Sequence, residues 1–173
     1  ANRLVGSEMC IRDRYGNWRT GDTHKFSSAS FDDYDPQEQI RIRQEIEKLQ
    51  EQEKARRKEN QDEVAIQCEK RYNSFDEDPT DHMYLKNKKI KAYGIKAFRD
   101  KIVVPAYDTR DPGHKITTLQ YIDPKGSKRF TSGGLVKGSI FNIGFNLNEI
   151  SNLKKIFVCE GYATAASIYL ATG

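Results

Sequence analysis

The sequence predicts an α/β protein, α+β in its overall order: a long exposed helix, a small antiparallel β subdomain, then one strand–helix unit of the parallel kind. Three observations carry this. From Gln37 to Asn73 there is no Pro or Gly, and apolar residues fall at helical spacing only near the two ends. Between Ile102 and Ile143, short apolar runs alternate with strong turn formers. Near the end, four consecutive apolar residues, Ile156 to Cys159, run into Glu160-Gly161 and an Ala-rich stretch, the pattern of a strand buried on both faces and followed by a helix.

The chain has 173 residues, 36% of them hydrophobic and 31% charged. That is enough for one domain or one and a half small ones, with little material for a core. Without a run of 18 apolar residues or a basic-then-apolar start, no membrane span or signal peptide is expected. Cys10, Cys68 and Cys159 are odd in number and far apart. They fit a reducing, cytoplasmic setting and form no CxxC pair for zinc.

In chain order, Val5 to Arg14 resembles a translated sequencing-adapter remnant, so residues 1–14 are set aside from fold reasoning. Residues 15–34 read as the remnant of a preceding domain. Tyr15, Trp18 and Phe26 are strand-like there, and Asn17, Gly21 and Asp22 supply turn chemistry. The helix occupies 35–74. Asp35 suits the N-cap and Pro36 the first helical position. Ile42, Ile46 and Leu49 form one sticky patch and Ala65, Cys68 and Tyr72 another, while Gln50 to Glu63 is almost wholly polar. Nine acidic and nine basic side chains between Glu38 and Arg71 cancel. That balance suits an exposed connecting helix rather than a basic nucleic-acid helix. Residues 75–81 form an acidic linker.

The texture changes at His82. Strands are expected at Ile102–Tyr107, Ile116–Ile122, Arg129–Thr131 and Ser139–Ile143. Turns are expected at Asp111-Pro112-Gly113, Asp123-Pro124-Lys125-Gly126 and Ser132-Gly133-Gly134. Between His82 and Ile140 there are thirteen Lys and Arg against four Asp and Glu, a net of +9. The whole chain carries +4, so the remainder sums to −5. The positive charge is thus concentrated in residues 82–150, as expected of a surface for a polyanion. His82 and His114 read as surface residues, because neither has a nearby Cys or His. Gly133 and Gly134 suit either close approach to nucleic acid or an ordinary hairpin. The cluster Lys86 to Lys91 receives no assignment.

Residues 151–173 hold the one acidic candidate. A carboxylate just beyond the carboxyl end of a strand points into the crevice where open α/β sheets gather their chemistry. Glu160 in that position suits a general base or a Mg²⁺ ligand. On spacing alone, it better suits complementing the positive end of the following helix.

The run Phe157-Val-Cys-Glu-Gly-Tyr-Ala-Thr-Ala-Ala166 resembles the first motif of the TOPRIM fold, in the Glu-Gly-Tyr form of bacterial replicative primases. Upstream, Phe98-Arg-Asp-Lys-Ile-Val-Val-Pro-Ala-Tyr-Asp108 resembles the strand that opens the primase polymerase core. Ile116 to Ile122, with Gln120, resembles the next strand. Lys128-Arg129-Phe130 falls where that family carries basic residues along the template path. His82-Met-Tyr-Leu-Lys-Asn-Lys-Lys-Ile90 with Tyr93-Gly94 is closer to primases of plasmids and satellite phages. The resemblance covers roughly His82 to Gly173.

It implies a DNA primase that synthesises RNA primers from nucleoside triphosphates on single-stranded DNA, with Mg²⁺ as cofactor. Glu160 would be catalytic and a metal ligand. Lys128, Arg129, Lys137, Arg99 and Lys101 would bind nucleic acid. A replicative helicase, separate or fused, is an expected partner. The family's Asp-x-Asp strand and its upstream zinc-binding domain are absent from these 173 residues, so no polymerase activity is expected of this chain alone. Two other readings stand beside this one: a non-catalytic nucleic-acid-binding module of a mobile-element replication protein, and a TOPRIM nuclease.

Overall fold

The computed structural model describes residues 12–16, 23–27, 35–75, 78–111 and 113–173. The chain divides into two units, 1–53 and 54–173. In the first, β1 (Arg12–Gly16) pairs antiparallel with β2 (Thr23–Ser27), with Arg12 opposite Ser27 and Gly16 opposite Thr23. The expected hairpin is therefore present. It begins at Arg12, inside the run set aside as an adapter remnant. Trp18, Asn17, Gly21 and Asp22 lie outside the described residues.

Helix α1 (Pro36–Asn73) starts where the sequence indicates. The Asp35 carboxylate accepts the backbone N–H of Gln37 at 2.7 Å and of Glu38 at 3.2 Å, satisfying two donors that the first turn leaves open. Residues 50–60 are all exposed, as their polarity requires. In the second unit, the C-terminal part of α1 turns Cys68 inward, with Val64 and Tyr72 partly buried beside it.

The sheet of the second unit has the order β3 (Lys96–Phe98), β4 (Lys101–Asp108), β5 (Ile116–Ile122), β6 (Lys128–Phe130), all antiparallel. A short β7 (Ser139–Ile140) pairs with the far end of β4. The Ser139–Ile143 strand expected from sequence is thus only two residues long. Strand β3 and a short helix α2 (Met83–Lys88) were not expected. Pro105 stands in central strand β4, beyond the end of β3 opposite Val103 and before β7 begins opposite Tyr107. A residue without an N–H is tolerated where one edge of the strand has no partner.

Five consecutive residues of β4, Ile102 to Ala106, are buried, because the sheet is covered on both faces. Side chains alternate between the faces. Ile102 and Val104 join Tyr84 and Leu85 of α2, Ile90, Ile95, Ile122, and Tyr162 and Ala166 of the last helix. Val103 joins Leu119, Ile116, Phe75 and Cys68 under the end of α1. Phe75 stacks on Phe98 with centroids 4.6 Å apart. The sheet therefore has an α1 face and an opposite face.

That opposite face receives α3 (Tyr162–Thr172), approached through a 3-10 helix (Leu147–Asn152). Gly173 closes α3 through its N–H to Tyr169 O, at φ 85°, the expected C-cap geometry. The expected strand before α3 is missing. Ile156 to Cys159 form no strand, and Val158 is 92% exposed. A strand buried on both faces needs a hydrogen-bonding neighbour at its edge and cover on each side. Among the described residues nothing pairs with this segment.

Candidate functional site

The Glu160–Gly161 junction forms a bend directly before α3, with Gly161 as N-cap. Glu160 is exposed, and its carboxylate has no hydrogen-bond or ion-pair partner among the described residues. Gly161 has φ −135° and ψ 146°, extended backbone that any residue adopts. A Cβ at Gly161 would lie 3.3 Å from Lys128 Nζ, the flexible end of an exposed side chain, so the Lys128 ammonium stands beside this turn.

Lys128 reaches this turn because of strand register. It sits opposite Ile122, whose side chain lies on the face that receives α3. Arg129 sits opposite Tyr121, which packs on the α1 side. Neighbouring residues of one strand point to opposite faces, so the sheet separates two basic residues adjacent in sequence. Lys101, paired with Phe98, falls on the α1 side with Arg129. Arg99, at φ 55°, lays its guanidinium 5.1 Å from the Phe98 ring centroid. Lys137 precedes β7, which pairs at the other end of β4. At about 3.4 Å per residue, that is roughly 20 Å along the sheet from the Lys128 row. The expected basic set is therefore divided. Lys128 accompanies Glu160, Arg99, Lys101 and Arg129 gather on the α1 side, and Lys137 stands apart.

Other residues weighed from sequence find structural duties. Lys86 pairs with Asp81 at 2.9 Å. His82 caps α2, its Nδ1 accepting the Tyr84 N–H at 3.2 Å, and its Nε2 reaches Asp100 O at 2.9 Å. His114 Nε2 meets Asn148 Oδ1 at 2.8 Å and so ties the β4–β5 turn to the 3-10 helix. Gly133 and Gly134 make room for protein. Their Cβ atoms would meet Asn60 of α1 and the buried Thr118.

Tyr162, to which the sequence pattern assigns no role, is the buried anchor of the site. Its Oη accepts the Tyr93 N–H at 2.8 Å and lies 3.3 Å from Lys91 O and 3.4 Å from Tyr93 O. Burial pushes its phenol up to about 12, so it is neutral throughout the physiological range. Its partners lie about seventy residues earlier, too far for any local sequence signal.

A magnesium site needs several convergent oxygen ligands. Among the described residues no group of three or more His, Cys, Asp or Glu can hold a metal ion, so Glu160 by itself does not fit the ion. The junction does bring together one free carboxylate, one ammonium and the N-terminus of an 11-residue helix without a side-chain cap. The last two favour negative charge beside a group able to take a proton.

No family model and no solved structure matches the chain. Two DNA primase TraC proteins of Escherichia coli are similar to it. One is 31% identical over 99 residues and the other 31% over 93, covering 56% and 52% of this chain. The chain spans only 6% and 8% of their respective lengths. The similarity supports a primase-like relation over about half of the chain. No described helix is long and apolar enough to cross a membrane.

Proposed function

We propose that this chain is part of a DNA primase, of the TOPRIM type found in plasmids and satellite phages, which makes RNA primers on single-stranded DNA. The observation that carries the reading is the approach of Lys128 to the Glu160–Gly161 turn; the similarity to the TraC primases supports it. In nucleotidyl transfer a 3′-hydroxyl loses its proton, a new P–O bond forms at the α-phosphate of a nucleoside triphosphate, and pyrophosphate leaves. Glu160 accepts that proton. Lys128, on the same face, offsets phosphate charge. Arg129, Arg99 and Lys101 follow the template backbone on the α1 side. Magnesium dependence belongs to the complete protein, where further carboxylates join Glu160. A helicase, separate or fused, remains part of the proposal for the whole protein.

The test is Glu160→Gln in the full-length protein. The amide keeps the shape and loses charge and basicity. Primer synthesis should fall by at least about 100-fold, with the melting temperature and single-stranded DNA binding nearly unchanged. Full activity in the variant would reduce Glu160 to a helix-end residue and favour a non-catalytic binding module.

A further inference from the structure

We infer that Tyr162 is a positioning residue for Glu160, its buried hydroxyl pinning the Glu160–Gly161 turn to the backbone of Lys91–Tyr93. The inference rests on the role proposed above for Glu160. Immediately before Glu160 the tether is weak: Cys159 Sγ reaches Gly161 O only at 3.9 Å. Ile156 to Cys159 form no strand, and α3 has no side-chain N-cap. Two residues later, Tyr162 is only 4% exposed. Its Oη takes the Tyr93 N–H and, having a single proton, donates it to Lys91 O or Tyr93 O.

The anchor is itself held. Tyr72 of α1 donates to Gly94 O at 3.0 Å, and Lys96 Nζ donates to Tyr72 O at 2.9 Å. The segment that Tyr162 grips is therefore fastened from the other side by the end of α1. Along α3 the same face continues with the fully buried Ala166, then with Tyr169, edge-on to Tyr93 at 4.9 Å. Apolar packing thus fixes how deeply α3 sits, whereas the Tyr162 hydrogen bonds fix the rotation of its first turn. That rotation sets where the partnerless Glu160 carboxylate stands relative to Lys128. A carboxylate displaced by about 1 Å loses transfer rate, while substrate binding by the basic residues is retained.

The experiment uses the full-length protein with Tyr162→Phe, Glu160→Gln and Tyr84→Phe, all assayed well below their melting temperatures. Tyr84 is buried in the same cluster and serves as control. The expected result for Tyr162→Phe is a kcat lower by roughly 10- to 100-fold, with unchanged nucleotide KM and DNA affinity; Tyr84→Phe should match the unmutated protein. A Tyr162→Phe kcat within twofold of the original, beside an inactive Glu160→Gln, overturns this inference alone. So does a loss of kcat, KM and DNA binding together in step with the unfolded fraction. An active Glu160→Gln overturns the reading of Glu160 and this inference with it. Should Tyr162→Phe fail to fold, amide exchange in the unmutated protein decides. A protected Tyr93 N–H supports the clamp, and one exchanging at the free rate overturns it.

Discussion

Thr118 is fully buried on β5, and its Oγ1 has no hydrogen-bond partner. The loop that covers it comes close because Gly134 has no side chain; a Cβ there would lie 2.5 Å from Oγ1 and 2.7 Å from Thr118 Cβ. Its neighbour Thr117 is satisfied, with Oγ1 3.2 Å from Ala106 O and 2.8 Å from Ser139 Oγ. An unpaired buried hydroxyl costs free energy, and removing it without changing shape recovers part of that cost. Thr118→Val should therefore stabilise the second unit by about 1 kcal/mol, whereas Gly134→Ala should destabilise it by roughly 1–3 kcal/mol through overpacking. Denaturant melts of the two variants check both signs, and a destabilised Thr118→Val would mean that the hydroxyl has a partner in solution.

Strand β6 shows how one element divides a sequence motif. Lys128, Arg129 and Phe130 are all exposed, on a strand that among the described residues pairs only with β5. Charged residues also guard such edges against pairing with other chains, so exposure alone assigns them nothing. Register does: Lys128 looks toward α3 and Arg129 toward the α1 side. In single-stranded DNA binding by the full-length protein, removing one phosphate-binding side chain should lower the log–log salt slope by about 0.7. Arg129→Ala should lower it by that amount, and Lys128→Ala should depress primer synthesis more than template binding. Equal effects of the two variants on both readouts would return them to a single groove, and an unchanged slope in the double variant would leave them as edge guards. Helix α1 divides its roles in the same way. The polar middle and the second sticky patch were legible from spacing, whereas Leu49 of the first patch is 58% exposed; what the second patch covers depended on β4 and β5.

Across the second unit, tyrosine burial sets a common response to pH. Burial, the largest cause, raises the phenol of Tyr162 to about 12 and lifts those of Tyr72, Tyr84 and Tyr107 above their ordinary value. The folded protein then holds these protons more tightly than the unfolded chain. Stability from this source is complete below the unfolded value of 10 and is lost as pH rises through 10 toward the folded values. Thermal melts should give a melting temperature unaffected by these groups from about pH 7 to 9 and falling between about pH 10 and 12. Tyr162→Phe should make that fall shallower. A melting temperature that rises with pH in this window would contradict the buried, hydrogen-bonded phenols. Asp108 behaves oppositely. Hydrogen bonds from Arg110 hold its carboxyl below the usual range, so its contribution is lost only in acid.

Much of the molecule was decided by the sequence alone, because the signals are local. Asp35 and Pro36 start α1 through their own chemistry, Ile116–Ile122 is a strand by composition between turns, and Gly173 suits a helix end. The concentration of charge in residues 82–140 is likewise a property of the sequence. Tertiary structure decided whatever depends on partners far along the chain. Ile156 to Cys159 is apolar enough for a buried strand, yet hydrophobicity cannot supply the neighbouring backbone that a strand requires. Lys128 and Arg129 are adjacent in sequence and divided in space, since the pleat and the pairing with Ile122 and Tyr121 determine which face each occupies. Glu160 could be singled out by its motif, but the approach of Lys128 to Gly161 and the hydrogen bonds of Tyr162 to Lys91 and Tyr93 exist only once the sheet and α3 have packed.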